Sequence, residues 1–267
     1  MKFVGETIHL VARKANSASG GRLVRIYQLY LAGDREFENF TLYVPPSRAD
    51  RISTDIEDFI LSNASGRVFW DIGANIGYLS LQAASVAKVV RAFEPYPSNS
   101  QILTENVERN DFTNIQTHQI AISEEDGTAE FFSDREEGSG IQSLAYDERL
   151  GGETLSVDTR TIDSLADEYG DPGFVKVDVE GAEEQVLRGA IEVLERGNTD
   201  WLIEVHASET GERVDRISQH GGSADELYGL LEDHEYHIYG YDPEEDTTTR
   251  LDRDDSPMPL YWFATTE

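Results

Sequence analysis

Between Val68 and Ser80 the chain reads Val-Phe-Trp-Asp-Ile-Gly-Ala-Asn-Ile-Gly-Tyr-Leu-Ser. An apolar run, Val68 to Trp70, meets an acid at Asp71. A Gly-x-Asn-x-Gly turn follows (Gly73, Asn75, Gly77), and then Ile76, Leu79, Ser80, Ala83 and Ala84 recur at helical spacing. The unit is strand, glycine turn, helix. Glycine has no Cβ and tolerates positive φ, so a ligand can approach the backbone of such a turn closely. This constrains the chain to an α/β arrangement with a nucleotide-like ligand at the turn.

The remaining periodicity agrees. Apolar runs at Val68–Ile72, Val89–Phe93, Ile115–Ile122, Phe174–Val179 and Trp201–Val205 read as strands. Ile76–Ala87, Pro97–Asn110 and Ala182–Glu195 carry helical patterns between them. Strands separated by helices predict a mostly parallel, Rossmann-like sheet covered on both faces. Tyr236–Tyr241 and Leu260–Ala264, joined by an acidic loop read as a solvated turn, predict a terminal antiparallel hairpin and a count of seven strands. Residues 1–50 alternate apolar and polar positions (Ile8, Leu10, Ala12; Leu23, Arg25, Tyr27, Leu29; Phe40, Leu42, Val44), with Ala32-Gly33-Asp34 as a turn. They predict a small β appendage, residues 1–52, ahead of a main domain over 53–267. A short helix is expected over Ser53–Leu61, short strands at Ala129–Ser133 and Thr154–Val157, and a flap or plain loop at Gly138–Ser143.

Composition narrows the function. Lys+Arg number 22 against 52 Asp+Glu, a formal charge of -30. A field of that sign argues against nucleic acid, whose phosphates need clustered Lys and Arg. An acid-covered surface with four lysines resembles proteins of salt-loving archaea. The absence of cysteine excludes disulfides and thiolate metal sites. No run approaches the roughly 18 apolar residues of a membrane helix, and no secretory leader is visible, so a cytoplasmic protein is expected.

Ligands of open α/β sheets bind beyond the carboxyl ends of the strands. Those ends carry Asp71 and the glycine turn, Glu94-Pro95, Ala121-Ile122, Asp178-Val-Glu180, and Glu204-Val-His206. Glu94 lies 23 positions after Asp71, in register for a carboxylate that takes both hydroxyls of a ribose. The acid ahead of Gly73 repels a pyrophosphate, which argues against a nicotinamide dinucleotide. It suits a cofactor with an ammonium and a sulfonium, S-adenosylmethionine (SAM).

Trp70–Tyr78, Ala92–Pro97 and Val175–Glu183, with Leu187–Ala190 and Ile203–His206, resemble the signature blocks of the FkbM family of SAM-dependent methyltransferases, over roughly residues 65–241. The resemblance implies the class I methyltransferase fold. It implies a methionine subsite at Asp71, Gly73, Ala74, Asn75, Gly77 and Tyr78, a ribose contact at Glu94 beside Pro95, and an adenine edge at Ala121. It also implies O-methylation of a hydroxyl, or a uronate carboxylate, on a saccharide or other small molecule, including a membrane-attached glycolipid.

An alcohol acceptor benefits from a general base, and the candidates are Asp178, Glu180, Glu183, Glu204 and His206. Each has a structural alternative. Glu183 can complement a helix dipole, Lys176 can form a buried ion pair with a neighbouring acid, and His206 can be an ordinary edge histidine. The same carboxylates and histidine could hold Mg²⁺, although the resemblance does not require a metal. The competing readings are a nicotinamide-dependent oxidoreductase and an inactive SAM-binding module.

Overall fold

The computed structural model describes residues 33–45, 55–133, 142–143, 153–207, 215–253, 255 and 260–267. Its centre is an eight-stranded sheet built on strand β3, Val68–Ile72. The other strands are β4 (Val89–Phe93), β5 (Ile115–His118), β10 (Phe174–Val177), β11 (Asp200–Glu204), β12 (His237–Asp242), β13 (Thr247–Arg250) and β14 (Tyr261–Thr265). The order is β13-β12-β14-β11-β10-β3-β4-β5. From β11 to β5 all neighbours are parallel, whereas β14 runs antiparallel to both β11 and β12, and β13 antiparallel to β12. β3 therefore sits mid-sheet, with the chain winding outward from it in both directions. This is the topological switch at which such sheets bind ligands.

The inner strands are apolar on both faces because helices cover both. β10 is wholly buried, and Trp70, Trp201 and Trp262 are each fully buried. Trp70 and Trp201 pack with Val186, Leu187, Leu194 and Leu231 on one side. Phe69, Val90, Phe174 and Leu202 pack with Ile56, Ile60 and Ala83 on the other. The covering helices are α1 (Glu57–Ala64), α2 (Tyr78–Ala84), α3 (Pro97–Glu108), α4 (Ile162–Tyr169), α5 (Glu183–Arg188), α6 (Ile191–Arg196) and α7 (Ala224–Asp233). α3 opens with proline at its first position, where the missing N–H costs nothing.

Several sequence expectations change. The sheet is mixed and eight-stranded rather than mostly parallel and seven-stranded, because the acidic stretch read as a solvated turn contains β13, which pairs with β12. Its residues are all exposed, so no apolar alternation marks it. Ile115–Ile122 is two strands. β5 stops at His118, and β6 (Ala121–Ile122) leaves for a second sheet of order β6-β9-β7-β8, with β7 at Gly127–Ser133, β8 at Gln142–Ser143 and β9 at Glu153–Arg160.

Ala182–Glu195 is two helices. Asp163, from the start of α4, accepts from Glu192 N and Val193 N at 3.0 Å each, so α6 starts afresh with a borrowed cap. At Gly189, between the two helices, an added Cβ would lie 2.1 Å from Ser123 O. The helix expected over Ser53–Leu61 begins, among described residues, at Glu57 and runs on to Ala64.

Of the N-terminal appendage, the described part is the hairpin β1 (Gly33–Glu36) and β2 (Thr41–Val44); Gly33 and Asp34, expected in a turn, belong to β1. Leu42 and Val44 are fully buried against Ile76, Tyr78 and Leu81. Asn106 and Asn110 of α3 and its C-terminal turn bond the β2 backbone at Tyr43 and Thr41, at 2.7 and 2.8 Å. The earlier strands expected at Ile8–Ala12 and Leu23–Leu29 lie outside the described residues, as does most of the Gly138–Ser143 loop. Among the described residues, no helix is long and apolar enough to cross a membrane.

Candidate functional site

A pocket enclosing about 620 Å³ of space, open to solvent, lies at the carboxyl ends of β3, β4 and β10. The glycine turn forms one wall. Gly73 (φ +79) is obligatory there: an added Cβ would lie 1.8 Å from Asp178 O. The turn is thus pressed onto the end of β10, and Gly73 N and Ala74 N both donate to Phe93 O at 3.0 Å. Asn75 also has positive φ, +54, and its side-chain Oδ1 is buried without a hydrogen-bond partner. An orphaned acceptor on a pocket wall fits a ligand that brings an N–H or O–H donor.

Glu94 faces the same pocket and is 5% exposed. Asn75 N donates to its Oε2 at 2.9 Å, and Tyr96 N to its Oε1 at 2.9 Å. Asn99 Nδ2 adds a longer bond of 3.4 Å. Two backbone N–H groups and a side-chain amide thus hold the carboxylate at the pocket wall, and a carboxylate has two acceptor oxygens to offer vicinal hydroxyls. Pro95 and Ala121 line the pocket beside it.

Phe131 of β7 closes the far side and stacks near Tyr96, with ring centroids 6.3 Å apart. Sequence reasoning missed Phe131 and Asn99. Phe131 comes from the second sheet, which no pattern places near β4. Asn99 lies five residues after Glu94 on the first turn of a proline-initiated helix, a spacing that could have suggested it.

The glycine-turn residues expected to line the site divide. Gly73 and Asn75 do so; Asp71, Ala74, Gly77 and Tyr78 do not. Asp71 is fully buried beneath the turn, taking a 2.5 Å bond from Ser80 Oγ and an ion pair with Lys176 Nζ at 3.4 Å. Tyr78 packs against Phe37 and Phe40. Gly77 (φ +92) begins α2, and an added Cβ would strike Leu103. These four shape the turn from behind.

Lys176 is 4% exposed and forms the buried ion pairs that the sequence left open. Its Nζ lies 3.4 Å from Asp71 and 3.3 Å from Asp178, and it donates to Gly73 O at 3.3 Å. Burial works to lower its pKa, but Asp178 and then Asp71 overcome that and raise it. Burial likewise pushes Asp178 up, and Lys176 followed by His206 outweighs it, leaving the Asp178 carboxyl below its usual range.

Parallel pairing of β10 with β11 brings the acceptor-side candidates together. Asp178 and Glu180 line the pocket, and Glu204 and His206 lie behind them. His206 Nδ1 is 2.7 Å from Glu183 Oε1. Its Nε2 is 3.4 Å from Glu180, 3.6 Å from Glu204 and 3.9 Å from Asp178. Burial lowers the His206 pKa, but the Glu183 bond and charge, then Asp178 and Glu204, push it up to about 9.

Glu204 is pushed up to about 7, first by burial and then by Asp178. Glu183 does more than complement a helix dipole. It is fully buried and also accepts from Gly181 N at 2.9 Å. Glu180 sits at φ +58 and is ion-paired with Arg216, a residue without a sequence signal. Donor atoms of Asp178, Glu204 and His206 fall within 4.8 Å of one another, a metal-like spacing. Glu183 on Nδ1 turns Nε2 of His206 toward those carboxylates.

Comparison with known proteins bears on this site. The model of the methyltransferase FkbM domain matches residues 71–238. Hexuronic acid methyltransferase AglP of Haloferax volcanii is 30% identical over 171 residues, covering 64% of this chain and 69% of that protein. Methyltransferase FkbM from Methylobacillus flagellatus aligns structurally with a TM-score of 0.45 at 18% identity, covering 74% of this chain; the match spans 43% of that longer chain. The SMU.1697c protein from Streptococcus mutans, solved in complex with SAH, aligns at TM-score 0.45 and 12% identity, covering 80% of this chain and 97% of that one.

Proposed function

The chain belongs to the FkbM methyltransferase family, and on that premise we propose that it uses SAM to methylate an oxygen of a saccharide or glycan acceptor, a hydroxyl or a uronate carboxylate. The observation that carries the cofactor half is the pocket wall made of Glu94 and Asn75. A carboxylate fixed at the pocket wall by backbone N–H groups suits ribose hydroxyls, and the orphaned Asn75 Oδ1 suits an amino group. SAM would lie against Gly73, Asn75, Glu94, Pro95 and Ala121. Asp71, Ala74, Gly77 and Tyr78 would act through the shape of the turn. SAM supplies an electrophilic methyl on a sulfonium.

The chain's own part is to fix the acceptor oxygen at near-attack distance. Asp178, Glu180, Glu204 and His206 are the groups assigned to that side, since Asp178 and Glu180 line the pocket and the His206 ring lies between them and Glu204. Carboxylates there suit the hydroxyls of a sugar as hydrogen-bond donors. The glycan assignment takes support from the AglP relative, whose name specifies hexuronic acid.

Calorimetric titration of SAM at high salt tests the first half. Low-micromolar to millimolar binding is expected in the parent, with a loss of ten-fold or more in Glu94→Ala. A folded parent that does not bind SAM defeats the reading. Mass spectrometry of glycans from cells lacking the protein tests the second half, the expected change being the mass of one methylene per missing methyl.

A further inference from the structure

We propose that Glu204 is the proton acceptor of the methyl-transfer step, and that Glu183 is a positioning residue holding His206 beside it as a fixed imidazolium, not as the base. The proposal rests on the O-methyltransferase reading in its hydroxyl-acceptor form and decides what that reading leaves open, which of the clustered groups receives the acceptor's proton.

His206 has carboxylate oxygens facing both ring nitrogens: Glu183 on Nδ1, and Glu180, Glu204 and Asp178 on Nε2. A neutral imidazole has one N–H and one lone pair. Whichever nitrogen carried the lone pair would face an anion, so both are protonated and His206 has nothing with which to accept a proton. The 2.7 Å bond to fully buried Glu183, itself anchored by Gly181 N, sets the ring's plane.

The acids around it are engaged except one. Asp178 pairs with Lys176, Glu180 with Arg216, and Glu183 is occupied beneath the ring. Glu204 has, among the described residues, no hydrogen bond and a single ion-pair contact, His206 Nε2 at 3.6 Å. Its side chain is 22% exposed, open enough to meet an acceptor beyond Asp178 and Glu180. The groups facing it are Lys176 on β10, Asp178 just beyond its end, Glu183 on α5, and His206 on its own chain segment. Burial and the neighbouring acid raise its carboxyl to about 7, the range in which a general base works at neutral pH.

In the step, the acceptor's O–H proton passes to Glu204, and the oxygen's electron pair forms the bond to methyl carbon. The pair of the broken carbon–sulfur bond stays on sulfur, and charge balances because the sulfonium and the carboxylate are both neutralised. His206 keeps its two protons throughout.

Nuclear magnetic resonance on protein labelled with ¹⁵N-histidine and ¹³C-glutamate tests this without any acceptor. Expected are two protonated nitrogens on His206 at pH 7.5, a Glu204 carboxyl titrating near 7, and a fall in the His206 pKa in Glu183→Gln. A neutral His206 ring at pH 7.5, or a Glu204 that titrates in the ordinary carboxyl range, overturns the proposal. So does Mn²⁺ binding that broadens the His206 ring signals at stoichiometric metal, since the cluster would then be a metal site.

Where a neutral hexoside probe, whose acceptor oxygens are hydroxyls and not carboxylates, is turned over by the parent, Glu204→Gln is expected to lose 100-fold or more in kcat with SAM affinity unchanged. A loss under three-fold refutes Glu204 as the base. Failure of the parent to bind SAM would strike the methyltransferase reading instead, and is scored separately by calorimetry.

Discussion

Replacing Lys176 with methionine isolates the ion triad under the glycine turn. In the parent, Nζ sits 3.4 Å from Asp71 and 3.3 Å from Asp178, with all but 4% of the residue buried. At an effective dielectric of about 20, each such pair attracts by about 5 kcal/mol, against the cost of burying an ammonium. Methionine keeps the volume and removes the charge. Asp178 has 29% of its side chain exposed and can turn to solvent. Asp71 cannot, because it is fully buried and keeps only the Ser80 bond.

The loss therefore falls on Asp71, and breaking a buried pair at one partner costs roughly 3–5 kcal/mol. Adding Asp71→Asn removes the stranded charge while its amide keeps an acceptor for Ser80 Oγ. The double variant is expected to recover at least half of the loss. Equilibrium denaturation at constant high salt measures both. A single-variant loss below about 1 kcal/mol, or a double variant no more stable than the single, would refute the claim that Asp71 is an internally compensated charge.

Other expectations follow from the same geometry. Gly73→Ala combines positive φ with a Cβ 1.8 Å from Asp178 O, so it should abolish SAM binding or folding; a variant binding within three-fold of the parent is the contrary result. Stability should fall as pH rises from about 6.5 to 9. Below that window two shifts oppose each other: Glu204, raised from 4.5 to about 7, loses stability as pH rises, and His220, lowered by burial from 6.5 to about 4, gains it. His206, raised from 6.5 to about 9, gives stability fully present below 6.5 and lost through 9. An unfolding midpoint that is flat or rising between pH 7 and 9 contradicts the His206 shift. With a formal charge of -30, the unfolding temperature should rise between 0.1 and 1 M KCl as the Debye length shrinks from about 10 to 3 Å; no change would remove self-repulsion as a determinant.

Part of the pocket lining was legible because local chemistry encodes it. A Gly-x-Asn-x-Gly turn needs its own glycines, and Glu94 lies at a fixed distance along the chain, so Gly73, Asn75 and Glu94 were found from spacing. The α/β class followed from period alone, and the methyltransferase family from short blocks at strand ends. Strands whose residues are all solvent-exposed carry no such period, which is why β13 read as a loop. The end of β5 was hidden because Ile115–Ile122 stays apolar while its pairing changes sheets at residues 119 and 120.

Which way a strand-end side chain points, and what it meets, is a property of packing between elements far apart in sequence. Asp71 stands in the signature turn, yet it faces Lys176, 105 positions away, and not the pocket. Glu183, on a short helix, proves to hold His206 from the end of β11. Phe131 reaches the pocket from the second sheet. The sequence by itself determined the sheet's parallel half, the glycine turn and the presence of acids at the strand ends, since each depends on residues close together in the chain. The tertiary structure alone decided which of those acids are paired, which are buried and which is left free to take a proton. Those properties are set by distances of 3 to 4 Å between strands that the chain joins only through long crossovers.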